Sequence, residues 1–600
     1  METSTEPSTI DLALAQRSLP LAFLVRAAAS PSRVALSTFG SDRRLTLGDW
    51  AAEAVAVAGG LSALGVCRGD RVALLLGTRI EFHIADMGAL LLGAIPVSLY
   101  ATSPVSQLLE IAENAEPRVL VTEAALADKG RELIRAYPAI EYLVVVDDAA
   151  VHAGELSLTA LKAMSQDGFD AAACAQDATA SDVCTLVYTS GTTGPPKGVQ
   201  IRHGAVLACL DSIRQRFATS EEDRAVCYLP MAHVAERIFG HYAAFVYGYE
   251  VTSVPTLPQL GDALRAVRPT RFFGVPRIYE KMLAGVHRAI EESPAREQLG
   301  RALRSRVAYV RAQQADRPLP DAAADRADRE ALRPLAALTG LDQAHFVAVA
   351  GAPSSLEMLE EATALGIPVN EFYGSSEVSI VTCSRPDRIR LGTAGTPLPG
   401  VRLRLGDDGE VLIAGPTVTS GYFRDRARTA DVLEPDGWFH TGDIGELLDD
   451  GYVRIVDRKK ELIINSFGKN MSPANIEQAI KGGQPFISQV LAFGDRRPYN
   501  VALVVLDRDG LSALVHSLGQ PPGDFADMSQ RAEVVRVVAD AVELGNARLS
   551  RVEQIKTFRV LDHDWLPGSD ELTPTSKLRR RVIEVKYQRE IDALYAEGAS

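Results

Sequence analysis

Between residues 20 and 400 the chain alternates short runs of branched apolar residues with longer helix-like stretches. RVALLLG (71–77) and YLVVV (142–146) exemplify the first, TLGDWAAEAVAVAGGLSALG (46–65) the second. That alternation is the pattern of parallel sheets whose strands are joined by helical crossovers. It continues through TRFFGVPRIYEKML (270–283) and HFVAVAGAPSSLEMLEEATALGIPVNEFYG (345–374). From Val401 the texture changes to short strands and Gly-centred turns, as in RLRLGDDGEVLIAG (402–415) and DDGYVRIVDRKKELII (449–464). A β-rich subdomain over about 401–457 is therefore expected. Beyond it, SPANIEQAI (472–480), the apolar run VALVVLD (501–507) and several helices predict a small α+β unit. The expected fold is α/β: a large N-terminal domain of layered α/β subdomains over 1–457, a junction at 458–461, and a small C-terminal domain over 462–600.

The bulk numbers narrow the function classes. A chain of 600 residues exceeds one ordinary core. Its hydrophobic and charged fractions, 46% and 23%, are those of a soluble globular protein. The formal charge of −14 argues against nucleic acid as a partner, since that requires a basic face. Six cysteines without a C-x-x-C pair read as reduced, mostly buried thiols, and the expected compartment is the cytoplasm. The acidic N-terminus is unlike a secretory signal. The most apolar run, MGALLLGAIPVSLYA (87–101), is too short to span a bilayer and is interrupted by Gly93 and Pro96. It predicts a buried helix followed by a strand, and leaves peripheral contact, at the inner face, as the only form of membrane association. Residues 280–338, rich in Ala, Arg, Glu and Asp, read as solvated helices. No G-x-G-x-x-G occurs, nor H-E-x-x-H, and the ten histidines lack metal-ligand spacing.

YTSGTTGPPKG (188–198) is the segment richest in chemistry. Thr189, Ser190, Thr192 and Thr193 offer hydroxyls, Gly191, Gly194 and Gly198 allow close backbone approach to an anion, and Lys197 supplies a cation. The preceding VCTLVY is a strand, so the loop lies at the strand end where α/β proteins bind ligands. It departs from a P-loop: Pro196 replaces the second glycine, and Gly198 replaces the magnesium-binding Ser or Thr. A phosphate-binding role for this loop thus requires a metal ligand from elsewhere in the chain.

This loop resembles the signature of the adenylate-forming superfamily, which includes acyl-CoA synthetases, luciferases and peptide-synthetase adenylation domains. DGWFHTGDIGELLDDGYVRIVDRKKELII (436–464) is similar to that superfamily's fatty-acyl-CoA synthetase signature. LPMAHVAER (229–237) and FFGVPRIYEKM (272–282) look like the long-chain branch, and LTPTSKLRRRVI (572–583) resembles the tail with the family's C-terminal lysine. The matches run in order over nearly the whole chain. The resemblance implies a fatty-acid–CoA ligase that forms acyl-AMP and pyrophosphate from a fatty acid and ATP, then passes the acyl group to CoA, with Mg²⁺ as cofactor.

Roles follow position by position from that resemblance. In FYGSSE, Tyr373 matches the aromatic that stacks on adenine, and Glu377 matches the magnesium ligand. Ser376 stands where threonine is usual, which keeps the hydroxyl. Asp443 matches the carboxylate that accepts the ribose hydroxyls, and Arg458 an arginine near ribose and phosphate. Gly351, in AGAP (350–353), falls between nucleotide and acyl pocket, and His233 at the carboxylate end of the acyl site. Lys577 matches the cation that serves adenylation. Lys460 matches the hinge, and Gly468, Lys469 and the Lys459–Lys460 pair are candidates for CoA. A fatty-acyl-AMP ligase loading an acyl carrier protein is the alternative; the lack of an obvious insertion over 455–470 favours CoA. A binding protein that has lost catalysis is a third reading, opposed by the presence of Glu377 and Lys577.

Overall fold

The computed structural model describes residues 7–189, 196–319, 321–467, 469–566, 568–573 and 577–597. Among these, two large sheets form the N-terminal domain. The first runs Leu156–Ser157, Tyr142–Val145, Pro117–Thr122, Arg71–Leu75, Ile95–Ser98, Val183–Thr189, Lys197–Arg202 in spatial order. Its neighbours pair in parallel until the last two strands, which form an antiparallel edge. The second sheet is centred on the parallel strands Phe346–Val349, Arg271–Gly274, Arg224–Cys227 and Glu250–Ser253. Antiparallel strands close both of its ends.

The expected helix-then-strand at Met87–Ala101 takes shape as the helix Ile80–Leu91 and the strand Ile95–Ser98, with Gly93 in the left-handed region at φ 76°. Every residue of this helix is buried, because it touches strands of both sheets. It therefore carries charge into the protein's centre. Asp86 accepts hydrogen bonds from Arg237 at 2.5 Å and from His241 Nε2 at 2.8 Å, and His241 Nδ1 lies 2.9 Å from His83 Nδ1. Arg237 also donates to the Tyr242 hydroxyl at 2.6 Å and to Ser98 on the first sheet. Arg237–Tyr242 and Ala244–Gly248 are π-helical, a wide winding frequent at functional sites.

Three helices, Pro276–Glu292, Arg296–Gln314 and Ala322–Thr339, occupy the charged region 280–338. They are not merely solvated. Leu283, Val286, Leu303, Val310, Leu332 and Leu335 are buried, and Arg306 pairs with Asp325 inside the helical layer. The apolar stripe is hidden in sequence by the arginines and acids that flank it at helical spacing.

The β-rich subdomain is an antiparallel sheet of Arg402–Leu405, Glu410–Ala414, Phe439–Leu447 and Val453–Arg458. In the C-terminal domain the strands Ile487–Phe493, Asn500–Leu506 and Ile555–Val560 form a sheet covered on both faces. Along Asn500–Leu506, Ala502, Val504 and Leu506 enter one core, and Val501, Leu503 and Val505 the other. A strand buried on both faces needs an unbroken apolar run rather than alternation, which is why VALVVL reads as it does. The C-terminal domain meets the large one through Lys481 and Glu280 at 3.1 Å, Arg277 with Asp507, Arg548 with Glu357, and the Gln478 side chain donating to the Pro353 carbonyl at 3.2 Å. Among the described residues no helix is long and apolar enough to cross a membrane. The six cysteines are free thiols, four of them buried.

Asp86→Asn would leave the buried Arg237 guanidinium without its counter-charge. The expected loss is about 3–5 kcal/mol of unfolding free energy, read from urea denaturation; an unchanged midpoint would show that the pair adds no net stability.

Candidate active site

Four separate stretches converge on one cluster of charge. The first is the hairpin Val369–Ser375 and Ser379–Cys383, whose register shifts between Tyr373 and Gly374. A Cβ on Gly374 would lie 1.9 Å from the Ser379 carbonyl oxygen, so only glycine allows the two strands to close there. The shift aims Tyr373 at the β-rich subdomain, where its phenol donates to Asp443 Oδ2 at 2.6 Å. Ser376 and Glu377 follow, both half-buried in the turn between the strands. The Glu377 carbonyl accepts from Thr419 N at 2.7 Å, and its Oε1 accepts from the Tyr422 hydroxyl at 3.1 Å.

The second stretch is the strand pair Phe439–Leu447 and Val453–Arg458. Its register sets Asp443 directly opposite Arg458, and Arg458 Nε forms an ion pair with Asp443 Oδ1 at 2.8 Å. Asp443 is buried, and burial raises its carboxyl pKa; Arg458 and the Tyr373 hydroxyl pull it back. Each carboxylate oxygen has one partner and so keeps acceptor capacity for a further hydroxyl.

His233 is the third. It caps the start of Val234–Glu236, its Nδ1 accepting from Ala235 N at 3.3 Å. That bond leaves Nε2 as the donor nitrogen. Burial, then the nearby Lys577 ammonium, pushes the imidazole down to about 3, so it stays neutral at physiological pH. Behind it Glu236 is buried, accepts from Leu229 N at 3.1 Å and is pushed by burial up to about 7.

The fourth is the C-terminal tail. Thr573 N donates to the Lys577 carbonyl at 2.8 Å and Lys577 N to Thr573 Oγ1 at 2.9 Å, which holds the lysine's backbone against Thr573. Its charge acts on His233 and Asp443, and Arg458 and Glu377 act on it in turn. The side chain keeps solvent access yet is ringed by protein. Those surroundings lower its pKa, Arg458 adds repulsion, and Asp443 and Glu377 oppose both. Arg580, three residues on, bonds Glu477 at 2.7 Å and Glu461 at 3.0 Å, tying the tail to the domain junction.

Lys197 opens the strand Lys197–Arg202 rather than a helix, in keeping with the departure from a P-loop. Its ammonium lies over the Tyr422 ring, 5.0 Å from the centroid. Thr189 ends the strand on the other side of the loop; Ser190, Gly191, Thr192, Thr193 and Gly194 fall outside the described residues. Gly351, at φ 89°, is exposed just past the strand Phe346–Val349, with the Val275 side chain 3.7 Å from where a Cβ would sit. The structure thus brings His233, Tyr373, Glu377, Asp443, Arg458 and Lys577 together. Lys460 and Lys469 are exposed at the junction and on the neighbouring hairpin. Lys459 is engaged by Asp408 at 2.5 Å and Glu410 at 3.0 Å, which leaves it less available to a phosphate; Gly468 falls outside the described residues. Sequence reasoning missed Tyr422 and Glu236. For Tyr422 no signal existed in its own stretch, because its partners lie 45 and 225 positions away in the chain.

An α/β body of layered sheets, a β-rich subdomain and a small C-terminal domain delivering a lysine to a Tyr–Asp–Arg–Glu cluster define an adenylating enzyme. The model of the AMP-binding enzyme family matches residues 23–423, and that of the AMP-binding enzyme C-terminal domain matches 460–599. The chain belongs to this family. It is 42% identical over 451 residues to fadD11 of Mycobacterium tuberculosis (strain ATCC 25618 / H37Rv), covering 74% of this chain and 79% of that one. It is 33% identical over 554 residues to the long-chain-fatty-acid–CoA ligase FadD15 of Mycobacterium bovis, 90% of each chain. Among solved structures, the anthranilate CoA ligase AuaEII in complex with anthranoyl-AMP superposes with a TM-score of 0.73 at 20% identity, over 98% of this chain and 99% of that one. At that identity the likeness is one of fold.

Arg458→Ala removes a repulsion from Lys577 and frees Asp443 to attract it, so the lysine's pKa should rise. At a fixed alkaline pH, Lys577 should then react more slowly with an amine-directed acylating reagent than in the parent protein, as read by peptide mass spectrometry. An equal or faster rate would contradict the charge arrangement.

Proposed function

We infer that the protein is an AMP-forming fatty-acid–CoA ligase of long-chain type, with ATP and CoA as co-substrates. The observation that carries this reading is the placement of Lys577, from the C-terminal tail, within electrostatic reach of His233, Glu377, Asp443 and Arg458. The similarity to FadD15 supports the long-chain assignment.

The reaction needs a carboxylate to attack the α-phosphorus of ATP in line with the departing pyrophosphate, and the protein's work is positioning and charge neutralisation. Tyr373 provides a face for adenine, and Asp443 accepts the ribose hydroxyls with the oxygen capacity left beside Arg458 and Tyr373. Neutral His233 offers its Nε2–H to the fatty-acid carboxylate without neutralising the nucleophile. Thr189, Ser190, Gly191, Thr192, Thr193, Gly194 and Lys197 take the phosphates, with Ser376 adding a hydroxyl. Lys577 meets the negative charge that develops as acyl-AMP forms, an interaction stronger in the transition state than before it. Mg²⁺ is met in such sites by one or two carboxylates plus phosphate oxygens, and the half-buried Glu377 carboxylate fits that donor set. Bound with ATP, the ion would neutralise phosphate charge.

The thioester step uses other residues. In this reading Lys460 is a hinge at the 458–461 junction between residues 1–457 and 462–600. Gly351 lies between nucleotide and acyl pocket, Gly468, Lys469 and Lys460 receive CoA, and rotation of the small domain withdraws Lys577. Peripheral contact with a membrane would bring long acyl chains to the protein.

The test is turnover with magnesium-ATP and fatty acids from medium to long chain, with and without CoA, following pyrophosphate and acyl product. CoA-dependent acyl-CoA formation is expected; adenylate that accumulates and ignores CoA would transfer the reading to a carrier-protein acceptor. Lys577→Ala should slow acyl-AMP formation by about a hundredfold or more while leaving conversion of supplied acyl-AMP to thioester within a few-fold. Equal loss in both steps would remove the lysine from its assigned role.

A further inference from the structure

Tyr422 touches Lys197, which the proposed reaction assigns to the phosphates, and Glu377, which it assigns to their magnesium ion, yet no motif points to it. Its side chain is almost wholly buried, at 5% exposure. One face of the ring lies under the Lys197 ammonium at 5.0 Å, and the hydroxyl donates to Glu377 Oε1 at 3.1 Å.

The backbone around it is stitched to both neighbours. Gln200 N donates to the Gly421 carbonyl at 3.0 Å, Phe423 N to the Gly198 carbonyl at 2.7 Å, and Val199 pairs with Tyr422 in an antiparallel bridge. On the other side Thr419 N bonds the Glu377 carbonyl at 2.7 Å. Gly421 adopts φ 116°, and a Cβ there would lie 2.4 Å from the Thr429 side chain, whose hydroxyl accepts from Tyr422 N at 2.9 Å. Tyr422 is therefore fixed by its main chain before any ligand arrives.

Lysine and glutamate side chains brought this near have a competing arrangement, a direct ion pair that would consume both charges. A cation over the ring face and a carboxylate on the hydroxyl are each stabilised without meeting: the first by the ring quadrupole, the second by a hydrogen bond to a charged acceptor. We propose that Tyr422 is a positioning residue that holds Lys197 and the Glu377 carboxylate apart and aimed, so that the phosphates of ATP and their magnesium ion find both groups free. This rests on the ligase reading of the same site.

Tyr422→Phe keeps the ring under Lys197 and removes only the hydroxyl; Tyr422→Leu removes both supports. Binding of ATP by the full chain, without fatty acid, would be measured by calorimetry with excess magnesium and with a chelator. In the parent protein magnesium should tighten ATP binding. Tyr422→Phe should cut that gain by about tenfold, the size of one hydrogen bond to a charged group, while leaving metal-free binding within twofold. Tyr422→Leu should weaken both. A Tyr422→Phe protein with the parent's full magnesium gain, or with both affinities reduced equally as a merely structural residue would give, overturns the proposal. Failure of the parent protein to bind ATP in either condition would overturn the ligase reading itself, and this inference with it.

Discussion

A carboxylate in the protein interior holds the site together. Asp443 is buried, so its charge is stable only while Arg458 and the Tyr373 hydroxyl bind its two oxygens. Those two partners come from different sheets, one across the antiparallel ladder of the β-rich subdomain and the other from the end of the large second sheet. The pairing therefore ties the subdomain to the large domain, beside backbone bonds such as Ala394 N to the Val453 carbonyl at 2.7 Å. It also sets the field into which Lys577 enters: Arg458 repels the ammonium, while Asp443 and Glu377 attract it. A lysine in this balance can be held close without being locked into an ion pair.

A second buried network does comparable work deeper in the fold. Asp86, Arg237, His241 and His83 join the helix shared by both sheets to the π-helical segment that follows His233. His241 is pushed down by burial despite the Asp86 carboxylate beside it, and His83 likewise by burial and then by His241, so the net charge of the group is balanced chiefly between Asp86 and Arg237. Removing either would leave an uncompensated charge in the centre of the large domain, whereas the pairs at the domain junction, such as Arg548 with Glu357, lie nearer to water.

Much of this was legible in the chain. The β–α alternation gave the layered sheets, and the change of texture at Val401 gave the β-rich subdomain, because hydrophobic periodicity is a local property of sequence. The charged helices of 280–338 were read only in part, since the Arg306–Asp325 pair looks like surface until a third element covers it. The site residues that belong to motifs are identifiable by resemblance, and their mutual placement is what the fold adds. Tyr422 and Glu236 were not named. Their meaning lies in partners distant in the chain or in burial, and neither leaves a mark on the local pattern.

By itself the sequence determined the class of protein: the order of its motifs, its domains and the kinds of chemical group available, all of which are written residue by residue. Only the tertiary structure decided the electrical state of those groups. Whether a histidine is held neutral, a glutamate's pKa is raised or a lysine's is lowered depends on burial and on charges from other elements. Such interactions act through space between residues hundreds of positions apart, and so they exist only once the chain has folded.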